Sequence, residues 1–148
     1  MENMEFLLRL STAVFAGLCI GFERQWRHKS AGLKTTMLVT AGAAIFTMLA
    51  IQFSDFSENV DVTRIIAQVV SGIGFLGAGI IFKEGLNVHG LTTAATMWCS
   101  AAIGCVAGSG YFIETFICTV LVLIVNIALQ PLDRWLKSRN TQEGSKSE

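Results

Sequence analysis

A carboxylate and two guanidinium groups, Glu23, Arg24 and Arg27, follow directly on the first apolar run of this 148-residue chain. Charges so close to a membrane segment either line a solvated polar site or fix the water-facing end of the segment. Trp26, Lys29 and Lys34 in the same connection suit the second role, as an interfacial anchor and partners for anionic lipid. Glu23, so near the end of the run, argues for the first, with an Arg as its counter-ion. A second set, Asp61, Arg64, Gln68 and Ser71, opens the third apolar run. Gln68 and Ser71 can bond another helix within the bilayer or touch an ion or solute. A third set is Thr92, Thr93, Thr96, Cys99 and Ser100. Thr92, Thr96 and Ser100 recur at helical spacing, which draws a hydroxyl stripe along one face. Such hydroxyls can also bond back to their own carbonyls a turn earlier.

Several chemistries have no support. No Ser/His/Asp set, HExxH motif or Walker loop is present, so an enzyme is disfavoured and no cofactor is expected. His28 and His89 lack metal-ligand spacing. The acidic connection with Asp55, Glu58 and Asp61 lacks the ordered oxygen pattern of a calcium loop. Gly72-Ile73-Gly74-Phe75-Leu76-Gly77 matches GxGxxG formally, but no strand precedes it and its surroundings are lipid-compatible. The four cysteines, Cys19, Cys99, Cys105 and Cys118, lie in apolar segments and read as reduced packing residues. The formal net charge is zero, and no nucleic-acid partner is expected.

The elements that must position these residues are membrane spans. Only 15% of residues are charged, against about 25% in a soluble domain. Five runs approach the roughly 20 apolar residues needed to cross a bilayer. They are Met4 to Phe22, Leu33 to Phe53, Arg64 to Phe82, Leu91 to Gly108 and Tyr111 to Gln130. Backbone polar groups facing lipid must be satisfied internally, so these predict an all-α, polytopic helix bundle. Pro131 suits the exit of the fifth helix. Nine of the eleven Lys and Arg fall in or beside the first and third connections and after the fifth span. The positive-inside rule then puts the N-terminus outside and the C-terminus in the cytoplasm. The acidic start, Met1 to Glu5, predicts no cleavable signal peptide. Residues 1–136 form one membrane domain and 137–148 a short polar cytoplasmic tail. Arg9 and Glu114, close to the outer surface, read as snorkelling charges.

Glycine is the other signal. The third span carries Gly72, Gly74, Gly77 and Gly79, the first has Gly17 and Gly21, and the fourth has Gly104 and Gly108. Small residues at such spacing let helix backbones approach closely. The expectation is a bundle packed around its third helix.

Three motifs resemble the MgtC/SapB family of bacterial inner-membrane proteins. They are Ile20-Gly21-Phe22-Glu23-Arg24-Gln25 with Ala31 to Thr35, Ala67 to Gly79, and Gly90 to Trp98. The resemblance covers about the first 130 residues. It implies a multi-pass inner-membrane domain tied to low-magnesium adaptation and, in pathogens, to survival inside host cells. It implies a modulator of other membrane machinery, although some members are described as transporters. Many members add a cytoplasmic ACT-like domain, which this chain is expected to lack. Family members often have Arg where this chain has Lys34 and His89, Pro where it has Val62, and Asn where it has Thr92. Lys and His do not replace a bidentate Arg.

Two functions compete. One is a non-enzymatic regulator that docks on another inner-membrane complex through its helices. The other is an oligomeric transporter or channel for a cation such as Mg2+ or a small solute, lined by Glu23, Arg24, Gln68, Ser71 and the hydroxyl stripe. A homo-oligomer, most simply a two-fold dimer, is expected under both.

Overall fold

A computed structural model describes residues 2–55, 61–85 and 87–144, with side chains as far as residue 129. Five helices, all long and apolar enough to cross a membrane, make up the bundle. They are α1 (Asn3–Trp26), α2 (Leu33–Ser54), α3 (Val62–Ile80), α4 (Leu91–Gly108) and α5 (Phe112–Gly144). Between α3 and α4 lies a short antiparallel hairpin, β1 (Phe82–Glu84) with β2 (Asn87–His89), in register Phe82 to His89. The hydropathy pattern did not announce it, because three-residue strands carry no usable periodicity.

Helices α2 and α4 hold the centre. In α4, 56% of the spanning residues are buried, against 11% in α3 and in α5. Lipid tails are as apolar as any side chain, so helix association rests on close van der Waals packing, and the core is accordingly built from small residues. Ala13, Ala44, Met48 and Ala107 form one cluster between α1, α2 and α4. Ala16, Ile20 and Ile103 form another, covered by Cys118, Val122 and Leu123 of α5. The third, Ala43, Ile73, Ala101 and Cys105, attaches α3.

The glycines divide sharply. A Cβ on Gly104 would lie 2.3 Å from the Thr40 carbonyl oxygen, and one on Gly108 would lie 2.6 Å from that of Ala44. Gly17 and Gly21 of α1 meet α2 as closely, at Thr40 and at the Leu33 backbone. By contrast, Gly72, Gly74 and Gly79 have nothing within 4 Å, and Gly77 makes only ordinary contact with Ala94. The expectation that α3 is the central packing helix is therefore corrected: it sits at the edge of the bundle. Composition records that a helix has small residues but not which side its neighbour occupies.

Two ends also differ from expectation. Helix α1 runs on through Glu23, Arg24 and Trp26, which the sequence assigned to the connection. Helix α5 continues past Pro131 to Gly144, so residues 137–144 of the expected tail are helical. The proline removes one N–H and one bond to the carbonyl of Ile127, and the ladder resumes a turn later. Glu58 and residues 145–148 lie outside the described residues.

Helix α3 begins with a side-chain cap. The Thr63 N–H and hydroxyl both donate to Asp61 Oδ1, at 2.9 and 2.6 Å. These bonds favour the carboxylate and hold the Asp61 pKa below its ordinary value. A group with a lowered folded pKa contributes stability above its unfolded pKa and loses it as pH falls through the folded one. Asp61→Ala should therefore speed amide exchange at Thr63 near neutral pH, whereas Asp61→Asn, an equally good cap, should not. Lowering the pH below the usual carboxylate range should reproduce the Ala effect in the wild type when exchange is read as a protection factor, which divides out the slower intrinsic exchange in acid.

Candidate functional site

The end of α1 closes on a left-handed residue. His28 has φ 53°, the Lys29 N–H donates to the Arg24 carbonyl at 3.0 Å, and the Arg27 N–H donates to that of Glu23 at 3.1 Å. A six-to-one bond around a left-handed residue is the Schellman arrangement, usually made with glycine. It turns the chain sharply and sets Lys29 beside the last turn of α1.

The start of α4 is fixed by a second special position. Gly90 has φ 89°, and a Cβ there would lie 2.2 Å from the Ile80 carbonyl oxygen. Only glycine satisfies both constraints. The turn brings Thr93 against α1, where Arg24 Nη2 donates to its hydroxyl at 2.5 Å. Arg24 is 2% exposed, and its Nε has no hydrogen-bond partner among the described residues.

Glu23 is buried beside it and pairs with Arg27, Nε to Oε1 at 2.7 Å. Its other oxygen, Oε2, takes a long 3.5 Å contact from Asn126 Nδ2 on α5, and Asn126 Oδ1 lies 3.4 Å from the Thr96 hydroxyl. Asn126 was missed by sequence reasoning. Its signal was that it is an amide inside the apolar run of α5, four residues before the run's end at Gln130.

These groups open onto a cavity of about 680 Å³ bounded by the α1–α2 connection, the hairpin, the start of α4 and the face of α5 at Val125, Asn126 and Leu129. A smaller hollow of about 440 Å³ beside Phe22 and Trp26 carries no buried charge. Among the described residues no group of His, Cys, Asp and Glu could hold a metal ion.

The structure thus brings together Glu23, Arg24, Arg27, Thr92, Thr93 and Thr96, and leaves others apart. Thr92 is exposed at the cavity rim, while Thr93 is the buried contact. The Thr96 and Ser100 hydroxyls bond back to the carbonyls of Thr92 and Thr96, each at 2.8 Å, and the Thr96 hydroxyl also lies near Asn126. Arg64, Gln68 and Ser71 are exposed on α3 and line no part of this cavity. Cys99 is half-buried, and all four cysteines are free thiols.

Arg9 also departs from expectation. It pairs with Glu5 and donates from Nη1 to the Gly108 carbonyl at 2.8 Å, so it ties α1 to the C-terminal end of α4 instead of reaching into water.

Thr93→Val should lower thermal stability in lipid nanodiscs by about 1–3 kcal/mol, because a buried guanidinium loses its acceptor. Thr93→Ser, which keeps the hydroxyl, should recover most of that.

The MgtC family model matches residues 10–135. The protein slr0014 of Synechocystis is 51% identical over 136 residues, covering 92% of this chain and 57% of that protein. Protein MgtC of Brucella abortus is 50% identical over 136 residues, covering 92% and 56%. Protein MgtC of Salmonella typhimurium is 50% identical over 130 residues, covering 88% and 54%. The chain spans about half the length of these curated relatives. No solved structure matches. With five membrane-spanning helices and a match running through all of them, this multi-pass membrane protein belongs to the MgtC family.

Proposed function

We propose that the protein is a non-enzymatic modulator in the bacterial inner membrane, acting in low-magnesium adaptation and intracellular survival by docking α3 on a helix of another membrane protein. The observation that carries this reading is the outward face of α3. Gln68, Gly72, Phe75 and Gly79 are all exposed and recur at i, i+4, i+7 and i+11, with Ser71 alongside. That is the spacing of a helix-facing seam. Small residues permit close approach, Gln68 and Ser71 offer hydrogen bonds in place of lipid, and Phe75, 82% exposed, supplies a bulky knob. Helix α5 is the internal comparison. Its outward face is Ile113, Phe116, Ile117, Leu121 and Ile124, all bulky and apolar, which suits lipid tails.

The transport reading has less support. Its proposed path would join Gln68 and Ser71 to Arg24, yet Gln68 and Ser71 line no part of the cavity that Arg24 lines, and the Thr96 and Ser100 hydroxyls bond back to carbonyls of their own helix. The test is crosslinking in native membranes of magnesium-starved cells. A stoichiometric heterologous partner is the expected product, and recovery of self-crosslinks alone would count against the reading. A two-fold dimer is a separate proposal, which a monodisperse monomer by mass in nanodiscs would refute.

A further inference from the structure

We infer that the cavity between α1, α4 and α5 is a binding site for a phosphate-bearing anion. Four observations converge there. Arg24 is 2% exposed, lines the cavity and leaves its Nε without a partner among the described residues. A buried guanidinium with an unused donor is costly unless an acceptor arrives. The N-terminus of the 18-residue helix α4, Gly90 to Thr93, forms part of the same wall with no side-chain cap among the described residues, which sets its positive dipole end at the cavity. Lys29, held beside Arg24 by the α1 cap, and the Thr92 hydroxyl add a second cation and a further donor at the rim.

The acid in the wall does not cancel this. Glu23 carries one negative charge, is paired with Arg27 and also acts on Arg24, so among the described residues Arg24, Arg27 and Lys29 outnumber it. Phosphate suits the set because its several oxygens can take bonds from a guanidinium, an ammonium and backbone N–H groups together.

One chemistry here has two sources, a lipid headgroup phosphodiester or free phosphate. Val125 and Leu129 line one side of the cavity and would lie along the glycerol and acyl part of a lipid. The test uses the full chain in dodecyl maltoside, stripped of lipid, with phosphatidylglycerol and inorganic phosphate as separate probes. Thermal shift and native mass spectrometry read the binding. Saturable stabilisation by phosphatidylglycerol alone assigns the site to lipid. Saturable stabilisation by inorganic phosphate, alone or in competition with the lipid, assigns it to the soluble anion. In either case Lys29→Gln, at an exposed side chain, should weaken binding about tenfold, and Thr92→Val should weaken it less. Arg24→Lys should retain part of the affinity that Arg24→Gln loses. Lys29→Gln keeps the test decisive if the Arg24 variants do not fold. Absence of saturable binding of both probes, or equal binding by wild type and Lys29→Gln, overturns the inference.

Discussion

Gly104→Ala should destabilise the bundle by about 1–3 kcal/mol or more, while the same change at Gly74 should be neutral or stabilising by up to about 1 kcal/mol. Both are helical glycines in a glycine-rich family motif or span, and a sequence-only argument would treat them alike. The difference is what a methyl group meets. At Gly104 it would stand 2.3 Å from the Thr40 carbonyl oxygen and 2.9 Å from the Ala43 Cβ, so α2 and α4 must separate. Neither neighbour is the loose end of a flexible side chain. Moving these helices apart also disturbs Gly108, whose added Cβ would meet the Ala44 backbone. At Gly74 the space is open, and alanine only reduces the freedom of the unfolded chain and improves helix propensity. Reversible unfolding in nanodiscs or mixed micelles measures the contrast. Equal destabilisation at both positions would contradict the arrangement of α2, α3 and α4 described above.

Gly72→Leu combined with Gly79→Leu should leave folding intact and reduce capture of a membrane partner about tenfold or more. A Cβ added at either glycine would meet nothing within 4 Å outside its own helix, and both positions are exposed, so a side chain there can extend away from the bundle. A docked helix would not, because two branched side chains on the seam would force the backbones apart. Overpacking of about 1–3 kcal/mol corresponds to roughly a fivefold to 150-fold loss of affinity. Leu121→Ala on the lipid-facing side of α5 is the control and should leave capture unchanged. Loss of capture together with loss of thermal stability would indicate damage to the fold, so both quantities are read on the same samples.

The spans were legible in the sequence because hydropathy over about 20 residues is a strong signal, and α4 runs over the same residues as expected, Leu91–Gly108. Residues of the family motifs also meet in the structure, where Arg24, beside Glu23, donates to Thr93 at the start of α4. What was not legible was direction. The sequence shows repeated glycines along α1, α3 and α4 but not that those of α1 and α4 face inward while most of those of α3 face outward. Thr92 and Thr93 are adjacent and chemically identical, and only the left-handed turn at Gly90 decides that Thr93 reaches Arg24. Asn126 joined the site by lying opposite Glu23 across a gap of 103 residues, which no local pattern encodes. Pro131 failed as a stop because the loss of a single N–H is a local defect, and the helix resumes beyond it.

The central claim is that α3 meets another protein where α5 meets lipid. Its most direct measurement is a site-by-site photocrosslinking scan in native membranes, with the reactive residue placed at Gln68, Phe75 and Ala78 on α3 and at Phe116, Leu121 and Ile124 on α5. Heterologous protein adducts are expected from the α3 positions, strongest at Phe75, and lipid adducts alone from α5. Lipid adducts or self-adducts alone from α3, or the same protein adducts from both helices, would contradict it.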